Sequence, residues 1–305
     1  NIYPFHFLSN SINEPLIIIN SNNQYNCYSN VCTHRAHIVV DNPCKTTKLR
    51  CKYHGRNFNL DGSFHSMPGF ENTKEFPTKN DDLKSIPLQL WKKFIFVSLN
   101  GNINIKPIFD DIENRLPNYP FDQLMYNKAN SQEWELNAHW AIYCENYVEG
   151  FHVPFVHKGL AKEMDVNKYK TVLLPNSVLQ IAECEKEYSV FKNANNYMAN
   201  PYAYYYWIFP NIMLNFYSWG LSINIIEPIS PSKTKIRFLS YPIKSKKQPI
   251  IGDAALSNVE LEDQEVVLNV QKGIQSRYYN SGRYSADYEK GLHHFHLMLQ
   301  NSLSI

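Results

Sequence analysis

Two short stretches of this chain carry residue types that bind metals. Cys32 and His34 stand two positions apart, and a second pair, Cys51 and His54, follows after a gap of 16 residues. Together they form the pattern C-x-H followed by C-x2-H. A [2Fe–2S] cluster with two thiolates on one iron and two imidazoles on the other, a Rieske centre, needs this mixed set, and its reduction potential lies between roughly −150 and +300 mV. We therefore expect these four side chains to bind such a cluster.

Structural zinc is the alternative for the same four residues, because zinc also takes Cys and His in tetrahedral sets. Zinc fingers, however, usually pair C-x2–4-C with H-x3–5-H. In this chain each Cys is paired with a His instead, and this spacing favours the iron–sulfur cluster.

A second candidate metal centre contains His152 and His157. They follow a stretch without helix breakers, residues 140–149, which predicts a helix. Pro154 lies between the two His, and we expect it to break the helix there because proline lacks an N–H and clashes with the preceding turn. Both His are then predicted where a helix passes into a loop, and taken alone they could equally be two structural histidines.

A carboxylate that could complete this centre lies in a second predicted helix, residues 253–276. Mononuclear Fe(II) oxygenases bind iron through two His and one carboxylate on one face. Asp263 falls near the centre of an apolar stripe on this helix, whereas Glu260 and Glu262 lie roughly 70–90° from it. A carboxylate in a buried stripe is costly unless it is paired or binds metal, so we predict Asp263 as the third ligand; on a rotated helix it would merely be solvated. The stripe consists of Leu256, Val259, Val266, Val267, Val270 and Ile274.

The metal-binding stretches resemble those of the Rieske non-haem iron oxygenases, in particular their catalytic (alpha) subunits. Residues 30–35 (NVCTHR) and 51–55 (CKYHG) are similar to the cluster loops of that family. Residues 144–157 and 262–273 are similar to its iron-binding segments, and the resemblance extends from about residue 15 to 300. Rieske proteins of respiratory complexes carry an additional Cys in each loop, which this chain lacks, so the oxygenase branch is favoured.

The resemblance implies specific roles at the second centre. By it, His152, His157 and Asp263 bind a mononuclear Fe(II). It also implies that an acidic residue three positions before the first His, here Glu149, connects the iron site of one subunit to the Rieske His of its neighbour in a head-to-tail homotrimer. Asn146 and Glu149 precede His152 at i, i+3 spacing, so we expect both to act at the catalytic site, Glu149 as a hydrogen-bond acceptor of an iron-bound His. A surface Glu is the alternative.

The activity that the resemblance implies is that of a terminal oxygenase. Electrons from a flavin/iron–sulfur reductase or a ferredoxin would pass through the cluster to the iron, which activates O₂ as co-substrate. The chain contains no G-x-G-x-x-G pattern for a flavin or nicotinamide, so the electrons need a partner protein. Residues 151–160 are similar to the choline, carnitine and betaine monooxygenase-like branch, which favours hydroxylation or demethylation of a quaternary amine. Aromatic-ring dioxygenation and a Rieske electron carrier without a second iron are the alternatives.

Aromatic residues crowd the stretch 202–219. They could cage a quaternary ammonium through cation–π contacts, although aromatic residues in strands more often form sheet core. Alternation along residues 202–208 would send about half of them to each face. The residues are Tyr202, Tyr204, Tyr205, Tyr206, Trp207, Phe209, Phe216, Tyr217 and Trp219.

A cluster of histidines near the end of the chain, His293, His294 and His296, suggests another metal site at first sight. The three side chains do not converge on a helix, so we expect structural roles for them.

The pattern of elements predicts an α+β protein of two domains. Residues 1–105 predict an all-β Rieske domain of short strands. Its signals are the β-branched run 15–19 with a turn at Ser21, Asn22 and Asn23, the hairpin 58–64 with Asp-Gly at its tip, and a buried strand at 94–97. Residues 106–305 combine strands within 171–192 and 202–243 with the helices predicted over 140–149 and 253–276 and a further one over 284–303. They predict a catalytic domain with an antiparallel sheet covered by helices, of the helix-grip type.

Composition excludes several classes of protein. The 305 residues are 44% hydrophobic, enough for two cores. A net charge of +2 gives no electrostatic reason for nucleic-acid binding. The sequence has no apolar run of about 18 residues that would cross a membrane. The six cysteines show no disulfide framework, so we expect a cytoplasmic protein, whose natural start is missing because the first residue is Asn.

Overall fold

The computed structural model describes residues 1–101, 104–192, 200–244 and 256–304, with side chains in the last range from residue 258 on. The chain divides into two compact units, Asn1–Ile103 and Asn104–Ile305. The first unit is built of strands and the second of a large sheet with helices, so the predicted α+β class is confirmed.

The first unit contains three small antiparallel sheets, which have the strand orders β1-β2-β3-β7, β4-β5-β6 and β8-β9. Their strands are β1 (Ile2–Phe7), β2 (Glu14–Ser21), β3 (Gln24–Ser29), β4 (Leu49–Arg50), β5 (Asn57–Phe58), β6 (Phe64–Ser66), β7 (Ser85–Ile86), β8 (Leu88–Trp91) and β9 (Phe94–Val97).

The β2–β3 hairpin forms the core of this unit. Leu16, Ile17 and Ile19 of β2 are fully buried, as expected of a β-branched run. Asn22 and Asn23 both have positive φ, 51° and 62°, the backbone that a two-residue hairpin turn of type I′ requires. The predicted strand and turn are therefore confirmed.

The β5–β6 hairpin with its Asp-Gly tip is also confirmed. Gly62 has a φ of +81°, and a Cβ at this position would lie 2.5 Å from the ring of Tyr28, so the turn requires glycine. Strand β9 was predicted to be buried but is only half-buried, because it pairs with β8 alone in a two-stranded sheet.

The second unit contains one antiparallel sheet with the strand order β10-β16-β15-β14-β13-β12-β11. Its strands are β10 (Asn127–Leu136), β11 (Asp165–Leu174), β12 (Ser177–Glu183), β13 (Pro201–Ile208), β14 (Ile212–Tyr217), β15 (Gly220–Ser230) and β16 (Lys233–Pro242). The α-helices are α1 (Lys106–Arg115), α2 (Trp140–Tyr147), α3 (Val153–Val156), α4 (Leu256–Gly273) and α5 (Lys290–Leu303).

Helices α2, α4 and α5 share one core with the sheet. Cys144 of α2, Val267 of α4 and Phe295 of α5 are fully buried there together with Trp207 of β13. At Gly291 of α5 an added Cβ would lie 2.3 Å from the carbonyl oxygen of Val148, so glycine permits the close approach of these segments. In the described ranges, no helix is both long enough and apolar enough to cross a membrane.

Three helix boundaries differ from the prediction. Helix α2 ends at Tyr147, two residues early, α4 ends at Gly273, three residues early, and α5 begins at Lys290 instead of near residue 284. The start of α5 has a local cause: the carboxylate of Glu289 accepts a hydrogen bond from the backbone N–H of Ser285 at 2.6 Å, which closes a turn before the helix starts. Residues 253–255 of the helix predicted over 253–276 lie outside the described residues.

Candidate metal centres

The cluster ligands predicted in the first unit lie on two similar turns. The backbone N–H of Cys32 donates to the carbonyl of His37 at 2.9 Å, and the N–H of Ala36 donates back to the carbonyl of Cys32 at 3.0 Å. The same pair of bonds, 2.8 and 3.1 Å long, joins Cys51 to residues 55–56. In both turns the fourth residue after the Cys has a positive φ, 53° and 74°. Each Cys therefore projects from a closed, well-defined loop.

The side chains of these turns form a mixed sulfur and nitrogen set. Cys32 and Cys51 are buried, and burial, together with a hydrogen bond from Cys51, raises the pKa of the Cys32 thiol. The rings of His34 and His54 lie edge to face with their centroids 4.8 Å apart, His54 being exposed. Burial and the charge of His54 lower the pKa of His34, which favours the neutral imidazole that binds metal. Two thiols on the inside and two imidazoles outside suit a Rieske cluster.

Asp81 connects both turns, a role that the sequence analysis did not assign. The hydroxyl of Thr33 donates to the carbonyl oxygen of Asp81 at 2.8 Å. The guanidinium of Arg56, which is 2% exposed, forms an ion pair with the Asp81 carboxylate. One residue thus holds the loop before His34 and the loop after His54.

The second centre brings together the three side chains predicted as iron ligands. Oδ1 of Asp263 lies 3.0 Å from Nε2 of His157 and 3.5 Å from Nε2 of His152. The possible ligand atoms all lie within 4.8 Å of one another. Two imidazoles and one carboxylate in this arrangement fit a mononuclear Fe(II), which is bound on one face and keeps open positions.

A carboxylate also holds the outer nitrogen of each ring. Nδ1 of His152 lies 2.5 Å from Oε1 of Glu149, and Nδ1 of His157 lies 2.7 Å from Oε2 of Glu262. Since a carboxylate accepts the Nδ1 proton, Nε2 keeps its lone pair for a metal. Burial alone would lower the pKa of His157, but hydrogen bonds to Asp263 and Glu262 raise it. The surroundings of this ring therefore favour a positive charge. Glu262 was not predicted as a site residue.

The backbone around the His pair differs from the prediction. The helix ends at Tyr147, before both His, so Pro154 does not break a helix between them. Pro154 lies instead in the first turn of α3, where its missing N–H is not needed. At Gly150 an added Cβ would meet the ring of Tyr169 at 2.4 Å, so the turn that carries Glu149 passes directly against this ring.

Helix α4 is rotated relative to the predicted apolar stripe. Val270 and Ile274 were placed in the stripe but are 39% and 45% exposed, whereas Glu260 and Gln271 are buried. Polar residues are tolerated there because α2 and its flank supply partners: Oε1 of Gln271 accepts the backbone N–H of His139 at 2.7 Å. Hydrophobic periodicity contains no information about such hydrogen-bonded polar pairs, so the predicted buried face of α4 was wrong at these positions.

Glu260 is the most buried carboxylate of α4. Oε2 accepts the hydroxyl of Tyr143 at 2.5 Å, and Oε1 accepts the side-chain amide of Gln264 at 2.9 Å. Burial raises the pKa of Glu260 to about 8, and these two hydrogen bonds limit the rise. The predicted apolar stripe placed Glu260 away from the buried face of the helix.

A cavity of about 100 Å³ lies next to the His pair. Its lining residues are Tyr143, Asn146, Tyr147, Glu149, His152, Val153, His157, Leu160, Met164, Tyr169, Gln180, Tyr202, Tyr205, Asn215, Tyr217, Asn224, Phe238, Val259, Glu260 and Asp263. Six of them are tyrosines, and Asn146, predicted as a catalytic-site residue, is among them. A wall of aromatic side chains combined with convergent polar groups is typical of a site for a small molecule.

The aromatic stretch divides between the two faces of the sheet, as alternation predicts. Tyr204 and Tyr206 pack on the face opposite the cavity, where the hydroxyl of Tyr206 donates to Asp111 of α1. Tyr205 and Tyr202 line the cavity. They are three positions apart but share a face because the register shifts between Ala182 and residue 183 of the neighbouring strand. The predicted sheet-core role is confirmed for Tyr204 and Tyr206, and the ammonium cage stays a prediction for the residues that line the cavity.

Gln180 has a buried acceptor atom without a protein partner. Its amide nitrogen donates to the carbonyl of Tyr147, which fixes the orientation of the amide. Within the described part of the chain, no hydrogen-bond donor reaches Oε1 of Gln180, although the side chain is only 1% exposed and lines the cavity. A buried acceptor normally has a partner, so this atom is suited to a ligand.

The histidines of α5 point to three different partners, so the prediction of structural roles is confirmed. His296 lies 2.8 Å from Oε1 of Glu145, and His294 lies 3.0 Å from the carbonyl of Leu174. His293 packs against the ring of Tyr284.

Comparison with known families supports both centres. Residues 8–77 match the Rieske [2Fe-2S] domain, and residues 124–304 match the ring hydroxylating alpha subunit (catalytic domain). The second match covers more than half of the chain.

Relatives are similar over most of this chain. It is 30% identical over 304 residues to the chloroplastic choline monooxygenase of Amaranthus tricolor, covering 95% of this chain and 67% of that protein. It is 25% identical over 324 residues to the carnitine monooxygenase oxygenase subunit of Escherichia coli (strain K12), covering 94% and 80%.

Two solved structures share the fold. A quaternary ammonium Rieske monooxygenase superposes with a TM-score of 0.72 at 21% identity, covering 98% of this chain and 84% of that one. Naphthalene 1,2-dioxygenase from Rhodococcus sp. superposes with a TM-score of 0.68 at 13% identity, covering 100% and 90%.

Proposed function

Because this chain belongs to the ring-hydroxylating oxygenase alpha subunits and contains a Rieske [2Fe-2S] domain, we propose that it is a terminal oxygenase that hydroxylates or demethylates a quaternary amine. The enzyme is an oxidoreductase of the Rieske type. Electrons come from a reductase or ferredoxin, as in this class of oxygenases. Among the predicted alternatives, aromatic-ring dioxygenation is not favoured, since the relatives described above are choline and carnitine monooxygenases.

One observation carries the proposal: the imidazoles of His152 and His157 meet the carboxylate of Asp263 at the wall of a tyrosine-rich cavity. We assign these three side chains as the iron ligands, and Cys32, His34, Cys51 and His54 as the cluster ligands. On this assignment residues 1–105 hold the cluster and residues 106–305 the iron. When bound, the two metal centres supply the electrons and the activation of O₂.

The residues of the chain orient these groups and shape the site. Glu149 and Glu262 accept the Nδ1 protons of the His pair, which fixes both rings with Nε2 toward Asp263. Tyrosine rings in the lining can attract a cationic ammonium group through cation–π contacts.

Glu149 has a further proposed role in electron transfer between subunits. Its Oε2 already accepts the backbone N–H groups of Phe151 and His152, whereas Oε1, which accepts Nδ1 of His152, has a second lone pair for another donor. The side chain is 12% exposed, which leaves this oxygen accessible. In a head-to-tail homotrimer that donor is a Rieske His of the neighbouring subunit. A Glu149→Gln variant in which both metal centres have been loaded is expected to lose electron passage between them. Normal product formation in a single turnover would refute this role.

The activity is tested with the purified chain reconstituted with cluster and iron, a surrogate reductase, NADH and O₂. Choline, carnitine and an aromatic hydrocarbon are supplied separately, and aldehyde, formaldehyde and cis-diol are measured. We expect aldehyde or formaldehyde from a quaternary amine and none from the His157→Ala variant. A cis-diol alone would contradict the proposed substrate class. Absence of a bound mononuclear iron would contradict the oxygenase itself and leave a Rieske electron carrier.

A further inference from the structure

The cavity contains one carboxylate that the iron site does not use. Asp263 and Glu149 are both engaged with the His pair. Glu260 lines the same cavity and is 3% exposed, and among the described residues its hydrogen-bond partners are Tyr143 and Gln264. It is therefore available to a ligand.

The partners of Glu260 suit its ionised form. The side-chain amide of Gln264 can only donate its N–H at Oε1, and the hydroxyl of Tyr143 donates at Oε2. In the described ranges of the chain, no Lys, Arg or His forms an ion pair with Glu260, and the one cationic group that acts on it from a distance is His157 of the iron site. A buried carboxylate without a counter-charge is costly, and burial accordingly raises the pKa of Glu260. A cation that enters the cavity would remove this cost.

Among the described residues that line the cavity, none is a Lys or Arg that could pair with a negatively charged ligand. The carboxylate of a zwitterionic ligand would therefore meet Glu260 without either side chain to compensate its charge. An independent observation also points to a ligand: Oε1 of Gln180 is buried in the same wall without a donor, and a ligand hydroxyl would satisfy it.

We propose that Glu260 determines substrate specificity by providing the counter-charge for a quaternary ammonium group, so that the site takes a net-cationic amino alcohol in preference to a zwitterionic amino acid or an uncharged isostere. This inference rests on the proposed function and specifies its substrate class. Tyrosine faces attract the ammonium but do not distinguish a cation from a zwitterion, whereas a buried carboxylate does.

The test measures equilibrium binding to the holoenzyme, with both metal centres loaded, under anaerobic conditions by calorimetry. The ligands are choline, its uncharged isostere 3,3-dimethylbutan-1-ol and the zwitterion glycine betaine. Wild type is expected to bind choline about 30-fold or more tightly than the isostere, the ratio that corresponds to about 2 kcal/mol, and to bind betaine more weakly than choline.

Glu260→Gln keeps the shape of the side chain and removes its charge, so the ratio between choline and the isostere should fall to the about fivefold that cation–π contacts alone provide. Glu265→Gln, on the exposed side of the same helix, is the matched control and should keep the wild-type ratio. An unchanged ratio in Glu260→Gln overturns the inference and leaves the proposed function standing.

If Glu260→Gln does not fold, binding of the three ligands to wild type still tests the inference. Equal affinity for choline and the isostere, or tighter binding of betaine than of choline, overturns the inference. Binding of none of the three ligands overturns the inference together with the proposed substrate class, so the two failures are distinguishable.

Discussion

Nδ1 of His157 lies 2.7 Å from Oε2 of Glu262, the residue directly before Asp263. Neighbouring residues of α4 therefore act on the two sides of one imidazole: Glu262 orients the ring and Asp263 faces its Nε2. Glu149 does the same for His152 from a turn instead of a helix. The two His of the site are thus oriented by carboxylates of different elements.

Replacing Glu262 by Gln should weaken iron binding. Gln can still accept the Nδ1 proton of His157 but brings no charge, and changes of this kind cost about 10-fold to 100-fold in metal affinity. Competition with a chelator for Fe(II) under anaerobic conditions measures the change, and Glu265→Gln serves as the control. Unchanged iron affinity with an intact cluster spectrum would contradict the role of Glu262.

The Asp81→Asn variant should lose its cluster at lower temperature than wild type. It leaves the guanidinium of Arg56 buried without its counter-charge, and breaking a buried pair costs several kcal/mol; since Asp81 is 19% exposed, we expect about 2 kcal/mol. Asp41→Asn removes an exposed ion pair with Lys52 and should leave the melting of the cluster nearly unchanged. The visible absorption of the cluster during heating reports both. Equal melting of the two variants would refute the role of Asp81.

Glu260→Gln should change how stability depends on pH. Burial raises the pKa of folded Glu260 to about 8 from an ordinary value of 4.5, so the fold favours the protonated form. The stability that protonation contributes is complete below pH 4.5 and is lost as the pH rises through 8. A neutral Gln does not titrate.

We therefore expect the melting temperature of Glu260→Gln, relative to wild type, to increase between pH 5 and pH 9, measured by calorimetry on protein without mononuclear iron. Each unit of pKa shift is worth about 1.4 kcal/mol. If the difference in melting temperature between the two proteins does not depend on pH, the pKa of Glu260 is not raised by folding.

Gly150→Ala should distort the turn that carries Glu149. An added Cβ would lie 2.4 Å from the ring of Tyr169, which is held in the cavity wall. We expect weaker iron binding and a destabilisation of about 2 kcal/mol, typical of overpacking. Gly273→Ala is the control, because its Cβ meets no atom within 4 Å, and a helical Ala is expected to stabilise by up to about 1 kcal/mol. If both variants bind iron like wild type, the contact with Tyr169 is unimportant.

Gln180→Leu should remove selectivity for a ligand hydroxyl. One hydrogen bond to Oε1 contributes about 1 kcal/mol, so wild type is expected to bind choline about fivefold more tightly than ethyltrimethylammonium, which lacks the hydroxyl. The variant should bind both ligands equally. A preference that persists in Gln180→Leu would show that the hydroxyl binds elsewhere.

The sequence alone determined the residue types and local elements of this protein. The four proposed cluster ligands, the His pair and Asp263 could be predicted because each metal restricts which side chains can bind it, and the family resemblance pointed to the same residues. The β2–β3 turn followed from two consecutive Asn residues, and the alternation of Tyr204 and Tyr205 from the pleat of a strand. These signals are local in the sequence, so they can be recognised without knowledge of the fold.

Only the tertiary structure decided which face of α4 is buried and what orients the metal ligands. Glu260 and Gln271 face inward because Tyr143 and His139, distant in sequence, supply hydrogen-bond donors. The helix before the His pair ends at Tyr147, earlier than its residue types indicate, and the turn that follows passes against Tyr169. A polar residue becomes a core residue only when a partner from another element meets it, and hydrophobic periodicity contains no information about that partner.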